Sequence, residues 1–297
     1  MAGQIALIVN PRAGMNRAGR ELPTLMTALD ASNSDYEVHA TKHPGHATEL
    51  AAIAAAAGAS TVVAIGGDGT VNEVVNGLMQ ADPEKRPKLG VVAAGSGADF
   101  ARSFDLPEHT NTAMRGVIGE TRRIDVGHME FEDRASHHFV NLANIGLAAA
   151  TVERAERLPR RLGKTRYIVA LWPALARYSK CEITVVVDGN RHSENAHNLL
   201  LANGRYAGGG MNFSPHSDPS DGLFDAQMNI GPKRQAVSLI PKIYRGKHLP
   251  DDRILQLTGS RFEINAARPL IVEADGELLG ETPVTITVVA GALEMVA

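Results

Sequence analysis

Residues 62–76 read Val62-Val63-Ala64-Ile65-Gly66-Gly67-Asp68-Gly69-Thr70-Val71-Asn72-Glu73-Val74-Val75-Asn76. The stretch opens as a short apolar run with the β-branched content of a buried strand. It breaks at Gly66-Gly67-Asp68-Gly69 and resumes with Val71, Val74, Val75 and Leu78 at helical spacing. Thr70 and Glu73 stand three apart, which predicts a capping box at the helix start. A strand, a glycine turn and a helix N-terminus make an anion site, because glycine lets the backbone approach a phosphate and the first N–H groups point at it. Asp68 inside the turn would repel a bare phosphate. A divalent cation between the two resolves the conflict, so the pattern points to a magnesium nucleotide. A tight turn in which Asp68 caps local N–H groups is the plainer alternative.

The chain has 297 residues and a formal net charge of -3, enough for one large or two medium domains and too acidic for a dedicated nucleic-acid binder. Its one cysteine, Cys181, cannot form an internal disulfide, which fits a reducing compartment. The N-terminus lacks the charged and apolar regions of a signal peptide, and no window nears 18 consecutive apolar residues. A cytoplasmic protein is expected.

Upstream, residues 5–9 form a buried-strand pattern closed by Asn10-Pro11-Arg12-Ala13-Gly14, followed by Leu22, Leu25, Met26 and Leu29 at helical spacing. Residues 36–41 alternate as a strand and 46–57 favour helix. Downstream, residues 89–94 form a strand ending in Gly95-Ser96-Gly97-Ala98-Asp99, before a helix over 100–104. Strands alternating with helices predict a parallel sheet with right-handed crossovers. Ligands of such sheets bind beyond the carboxyl ends of the strands, where loops 10–14, 66–70 and 95–99 fall.

After about Arg123 the texture becomes a series of short strand-like runs, at residues 124–129, 138–142, 181–187, 199–203, 224–230, 261–264, 269–273 and 284–289. A second, β-rich domain over 124–297 is expected after an α/β domain over 1–123, with helical segments at 151–178 and 233–245. Gly208-Gly209-Gly210 leads into a turn-rich loop, Pro215-His216-Ser217-Asp218-Pro219-Ser220-Asp221-Gly222-Leu223. Asp221 with nearby carbonyls could hold a hard cation, and an Asp-Gly turn explains the same residues. Asp275-Gly276-Glu277 reads locally as a turn, although Glu277 would suit a general base if it faced the nucleotide loops.

Gly163-Lys164-Thr165 is not a Walker motif, since Leu158 stands where its first glycine belongs. His137 and His138 would point to opposite faces of a strand, which disfavours a shared metal. Trp172 is expected in the core. Arg154, Arg157, Arg160, Arg161, Lys164 and Arg166 form a basic run, either a solvated helix face or a patch for anionic headgroups.

Together these motifs resemble the soluble bacterial lipid kinases of the diacylglycerol and sphingosine kinase superfamily, in order and nearly end to end. Residues 10–14, 66–73 and 95–102 resemble its three nucleotide loops. Asn144-Ile145-Gly146, the 208–222 block and Asp275-Gly276-Glu277 follow in the family's order. The resemblance implies a Rossmann-like, NAD kinase-like N-terminal domain, a C-terminal β-sandwich, an active site in the cleft, and a last segment that returns to the first domain. It implies ATP contacts from Asn10, Pro11, Arg12, Ala13, Gly14, Thr41, Gly66, Gly67, Asp68, Gly69, Thr70, Val71, Asn72 and Ser96. It assigns magnesium and phosphate organisation to Asp68 and Asp99, and a structural magnesium to Asp221 with carbonyls of Asp218 and Leu223. Glu277 would be the base that takes the proton of a lipid hydroxyl, most simply that of diacylglycerol. Transient contact with the inner face of the membrane and a homodimer are also implied.

Two departures stand out. Met15 occupies a place where some relatives carry lysine, leaving Arg12 or Arg17 to supply charge, and Ala98 replaces a common asparagine. Two rival readings share the fold. One is an NAD kinase-like enzyme, which does not account for the 215–222 block followed by Asp-Gly-Glu. The other is a catalytically silent lipid- or nucleotide-binding regulator.

Overall fold

The computed structural model describes residues 4–95, 97–106, 117–159, 162–163 and 165–297. The chain forms two compact units, Met1–Val126 with Ala290–Ala297, and Gly127–Val289.

In the first unit β1 (Ile5–Val9), α1 (Ala13–Ala31), β2 (Tyr36–Ala40), α2 (His46–Ala56), β3 (Thr61–Gly66), α3 (Asp68–Leu78), β4 (Lys88–Ala93) and α4 (Asp99–Ser103) alternate along the chain. The strands lie side by side as β2-β1-β3-β4, all parallel, with Ile5 opposite Thr61 and Thr61 opposite Lys88. All five residues of β1 and all six of β3 are buried, as a sheet covered on both faces demands. Leu25 and Leu29 of α1 join Leu7, Val63 and Ile65 in one core cluster. The other helices meet closely because their contact is small: Ala47, Ala51, Ala54 and Ala55 are the buried residues of α2. At Gly77 of α3 even a Cβ would lie 2.4 Å from the Thr48 carbonyl oxygen. At the end of the chain, Met295 pairs in parallel with Leu89 on the free side of β4. This sheet is the expected Rossmann-like arrangement. Because β2 and β3 flank β1, the chain reverses its direction of build at β1, and the loops after β1 and β3 open at that switch point.

The second unit is antiparallel. Its elements are β5 (Thr121–Glu130), β6 (His137–Phe139), β7 (Leu142–Gly146), α5 (Leu147–Glu156), α6 (Thr165–Arg177), β8 (Cys181–Val187), β9 (Asn190–Ala196), β10 (Asn198–Ala202), β11 (Tyr206–Ala207), β12 (Met211–Asn212), β13 (Phe224–Asn229), α7 (Lys233–Ile243), β14 (Ile254–Gly259), β15 (Arg261–Ala266), β16 (Ile271–Ala274), β17 (Glu277–Glu281) and β18 (Val284–Val296). β5 and β18 each carry residues of both units. One sheet runs β14-β13-β10-β7-β16-β17, and β9-β8-β15-β18 with the β5–β6 pair supplies the other. Inward residues of both, among them Ile145, Leu201, Met228, Val185, Ile264 and Ile286, share one apolar core. This is the expected sandwich. Phe139, Phe224 and Phe262 run through its middle with ring centroids 5.4 and 6.3 Å apart. Phe139 lies against Gly127 on the paired strand, where a Cβ would stand 2.2 Å from the ring.

Two local expectations fail. The capping box does not form: the N-cap of α3 is Gly67 and no side chain caps it. Thr70 instead accepts a bond from the Asn10 amide at 3.2 Å, and Glu73 accepts one from the Ala47 N–H at 3.0 Å. Both side chains are taken by tertiary partners. Trp172 is 57% exposed, not core, because the buried stripe of α6 is Ala170, Ala174 and Leu175 and the helical period turns Trp172 away from it.

Candidate active site

The three glycine loops of the first unit come together. Asn10 leaves β1 with its N–H bonded to the Ile65 carbonyl (3.0 Å), and its side-chain amide spans to Thr70 Oγ1, joining the first loop to the second. Gly14, with φ 56°, backs onto Ala94, whose carbonyl oxygen would sit 1.9 Å from any Cβ there. Gly95 packs on Gly67, where a Cβ would stand 2.5 Å from the Gly67 Cα. A Cβ on Gly97 would meet Asp68 Oδ2 at 2.4 Å. A side chain at Gly14 or Gly95 would strike the backbone of a neighbouring loop and one at Gly97 the Asp68 carboxylate, so these glycines are required by close approach. Thr41 follows β2, its N–H on the Val9 carbonyl at 2.8 Å, beside the same loops.

Asp68 opens α3, and its Oδ1 accepts the Phe100 N–H at 3.0 Å, tying the second loop to the first turn of α4. Asp99 is 6% exposed and pairs with Arg102, whose Nη1 lies 3.0 Å from Oδ1 and also donates to the Gly97 carbonyl at 2.6 Å. Two carboxylates, glycine backbones and the start of a helix in one place fit the needs of a magnesium-bound polyphosphate. Val71 and Asn72 are buried, the Asn72 side chain accepting from Asn76 at 2.5 Å. Pro11 and Arg12 lie at the surface, and the Arg12 N–H bonds Asn10 Oδ1 at 3.2 Å. Arg17 is bound to Glu21 at 2.5 Å. Met15 is 88% exposed with φ 56°. Ser96 lies outside the described residues.

In the second unit, Asp275 and Gly276 (φ 49° and 90°) form the two-residue turn of the β16–β17 hairpin, the Asp-Gly turn chemistry of tight hairpins. The Asp275 carboxylate does more than turn the chain. It accepts the N–H groups of Val140 (2.8 Å), Asn141 (3.1 Å) and Leu142 (3.0 Å), clamping the hairpin to the segment between β6 and β7. Glu277 begins β17, its side chain 41% exposed, with Oε2 3.9 Å from His137 Nε2.

Sequence reasoning missed Glu273. It lies opposite Asn144 in an otherwise apolar strand, 4% exposed, accepting from the Asn144 amide at 3.0 Å and the Gly276 N–H at 2.6 Å. Burial pushes its carboxyl up to about 7, against the pull of those two donors. An acid within the apolar run Ile271–Ala274, two residues before Asp-Gly, was the available cue.

Asp218, Asp221 and Leu223 share one turn. Asp218 Oδ1 accepts from the Ser220 N–H and hydroxyl at 3.1 and 2.6 Å, and Asp221 Oδ1 accepts the Leu223 N–H at 2.9 Å. Local turn bonds thus account for one oxygen of each carboxylate. In the basic segment, Arg157 pairs with Glu153 at 2.6 Å and Arg166 lies over the Tyr167 ring, its guanidinium carbon 4.8 Å from the centroid. Arg160, Arg161 and Lys164 lie outside the described residues. No described helix is long and apolar enough to cross a membrane.

The diacylglycerol kinase catalytic domain matches residues 4–129, and the YegS C-terminal NAD kinase beta sandwich-like domain matches residues 141–297. A diacylglycerol kinase of Bacillus subtilis is 28% identical, over 93% of this chain and 90% of its own. A probable lipid kinase YegS-like protein of Cronobacter sakazakii is 33% identical over 87% and 85% of the two chains. The crystal structure of a putative diacylglycerol kinase from Bacillus anthracis superposes with a TM-score of 0.82 at 26% identity, covering 99% of this chain and 97% of that one. With both halves of the family architecture present in order along the chain, the chain belongs to the diacylglycerol kinase and YegS-like lipid kinase family, phosphotransferases with an alcohol group as acceptor.

Proposed function

We propose that this protein transfers the γ-phosphoryl group of ATP, held with magnesium, to a lipid hydroxyl, with diacylglycerol as the acceptor and phosphatidic acid as the product. The packing of three glycine loops on one another, the second joined to the first through Asn10 and Thr70 and to the third through Asp68, is the observation that carries this reading. In it, Asn10, Pro11, Arg12, Ala13 and Gly14, with Thr41, Gly66 to Asn72 and Ser96, hold the nucleotide. Asp68 and Asp99 offer oxygens to magnesium, which supplies charge neutralisation at the transferred group. Asp221, with the carbonyls of Asp218 and Leu223, holds a second, structural magnesium. Positioning and electrostatics do most of the work in phosphoryl transfer, and one carboxylate must accept the hydroxyl proton. We assign that role to Glu277, placed by the clamped Asp275-Gly276 turn.

The acceptor is delivered from a membrane surface. Leu162, Val169 and Trp172 are 39%, 50% and 57% exposed, and the same stretch of chain carries Arg154, Arg157 and Arg166, a combination that suits anionic headgroups.

Two variants test the assignment. Glu277→Gln is expected to lose turnover while keeping magnesium-ATP affinity, and Asp68→Asn to weaken both. Near-parent activity in Glu277→Gln removes it as the base.

A further inference from the structure

His137 sits on β6 opposite Met129, while its neighbour His138 turns to the other face and stacks on His128 with ring centroids 4.8 Å apart. The Nε2 atom of His137 is buried and has no hydrogen-bond partner among the described residues, an unusual state for an imidazole nitrogen. The nearest acid is Glu277, with Oε2 at 3.9 Å, just beyond hydrogen-bond reach. Their spacing is fixed by Asp275, which bonds the three N–H groups that follow β6 and lies two residues before Glu277.

From this geometry we infer that His137 is a positioning residue for phosphoryl transfer: its Nε2–H closes on Glu277 Oε2 and turns Oε1 toward the acceptor hydroxyl. The inference rests on Glu277 being the base. Catalytic hydrogen bonds are often long in ligand-free enzymes and tighten when the substrate arrives. The Glu277 side chain is 41% exposed and that of His137 21%, so the carboxylate is the partner with more room to move. Burial also lowers the His137 pKa, so the ring is neutral at neutral pH. A neutral donor orients a carboxylate without cancelling the charge that makes it a base, whereas an imidazolium would hold Glu277 as half of an ion pair. Other charged side chains of the surrounding strands and turns are Glu130, Glu132, Asp133, Arg134, Glu273, Asp275 and Glu281. Arg134 is already engaged by Asp133 at 2.9 Å and by the Leu279 carbonyl at 3.1 Å.

The test is steady-state kinetics of the full chain with labelled ATP and diacylglycerol in mixed micelles, comparing His137→Phe and His137→Gln in the parent and Glu277→Gln backgrounds. Expected for His137→Phe is a loss of roughly 10- to 100-fold in kcat with KM for both substrates unchanged, the scale of a misplaced catalytic group. His137→Gln, which keeps an N–H donor, recovers most of that loss. In the residual turnover of Glu277→Gln, His137→Phe costs nothing further. A kcat within twofold of parent for His137→Phe overturns the inference and leaves the assignment of Glu277 intact. Equal losses in both backgrounds also overturn it, because His137 would then not act through Glu277. A fully active Glu277→Gln overturns the base assignment and this inference with it. Melting temperatures of both His137 variants separate misfolding from misplacement, and should His137→Phe fail to fold, a folded His137→Gln with kcat lowered tenfold or more decides against the proposal.

Discussion

Glu273 and Asn144 face each other across two neighbouring strands, carboxyl oxygen to side-chain amide at 3.0 Å, with no cation within the pair. The second Glu273 oxygen takes the Gly276 N–H, so a buried acid braces the turn that presents Glu277. Its folded pKa of about 7 lies above the unfolded value, so the sign is that of an acid held neutral. Its contribution to stability is greatest below about pH 4 and is lost as pH rises to about 7, by ~3 kcal/mol in all. Glu273→Gln has no such titration. Its melting temperature relative to parent is expected to rise steadily between pH 5 and pH 8, and a constant difference would show that Glu273 does not hold its proton.

Gly95 and Gly97 test the packing of the nucleotide loops. Alanine at Gly95 drives a methyl group into Gly67 backbone, and at Gly97 into the Asp68 carboxylate. Both variants are expected to fold and to lose at least tenfold in magnesium-ATP affinity, about 1.4 kcal/mol. Calorimetric titration reads this directly, and parent-like binding by Gly95→Ala would mean the two loops do not meet as described.

Ala98 adopts φ 52° and ψ 30°, a left-handed conformation that costs a residue with a Cβ roughly 1–2 kcal/mol. Asparagine and glycine enter this region more readily. Ala98→Gly is expected to raise stability by up to about 1 kcal/mol in urea unfolding; a destabilised variant would show that the loop is not left-handed at this position.

Trp172 is exposed, so Trp172→Ala should change stability by less than about 0.5 kcal/mol. Its effect belongs on membranes: weaker sedimentation with phosphatidylglycerol-containing vesicles is expected, and unchanged sedimentation would remove α6 from the membrane-facing surface.

Much of the fold was legible because its cues are local. A run such as Thr61–Gly66 followed by glycines can be little other than a buried strand entering a turn, and the order of the loops sufficed to place them at one edge of the sheet. What escaped depends on neighbours. Thr70 and Glu73 have capping-box spacing, yet Asn10 and Ala47, distant in sequence, claim them. β9 (Asn190–Ala196) is a polar edge strand recognisable only by its partner β8, and β17 begins inside what reads as a turn. Trp172 in a mixed helix reads as core until the buried alanines opposite it are seen. The clamp of Asp275 on residues 140–142 joins segments more than a hundred residues apart, a relation no window of sequence displays.

The central claim is phosphoryl transfer to a lipid hydroxyl, and it is tested most directly by incubating the protein with γ-labelled ATP, magnesium and a panel of acceptors in mixed micelles. The panel holds diacylglycerol, monoacylglycerol, sphingosine, ceramide and phosphatidylglycerol, with NAD as a soluble control. Label in diacylglycerol, abolished in Asp68→Asn, is the predicted result. Label in NAD, or in no acceptor although ATP is bound, would contradict it.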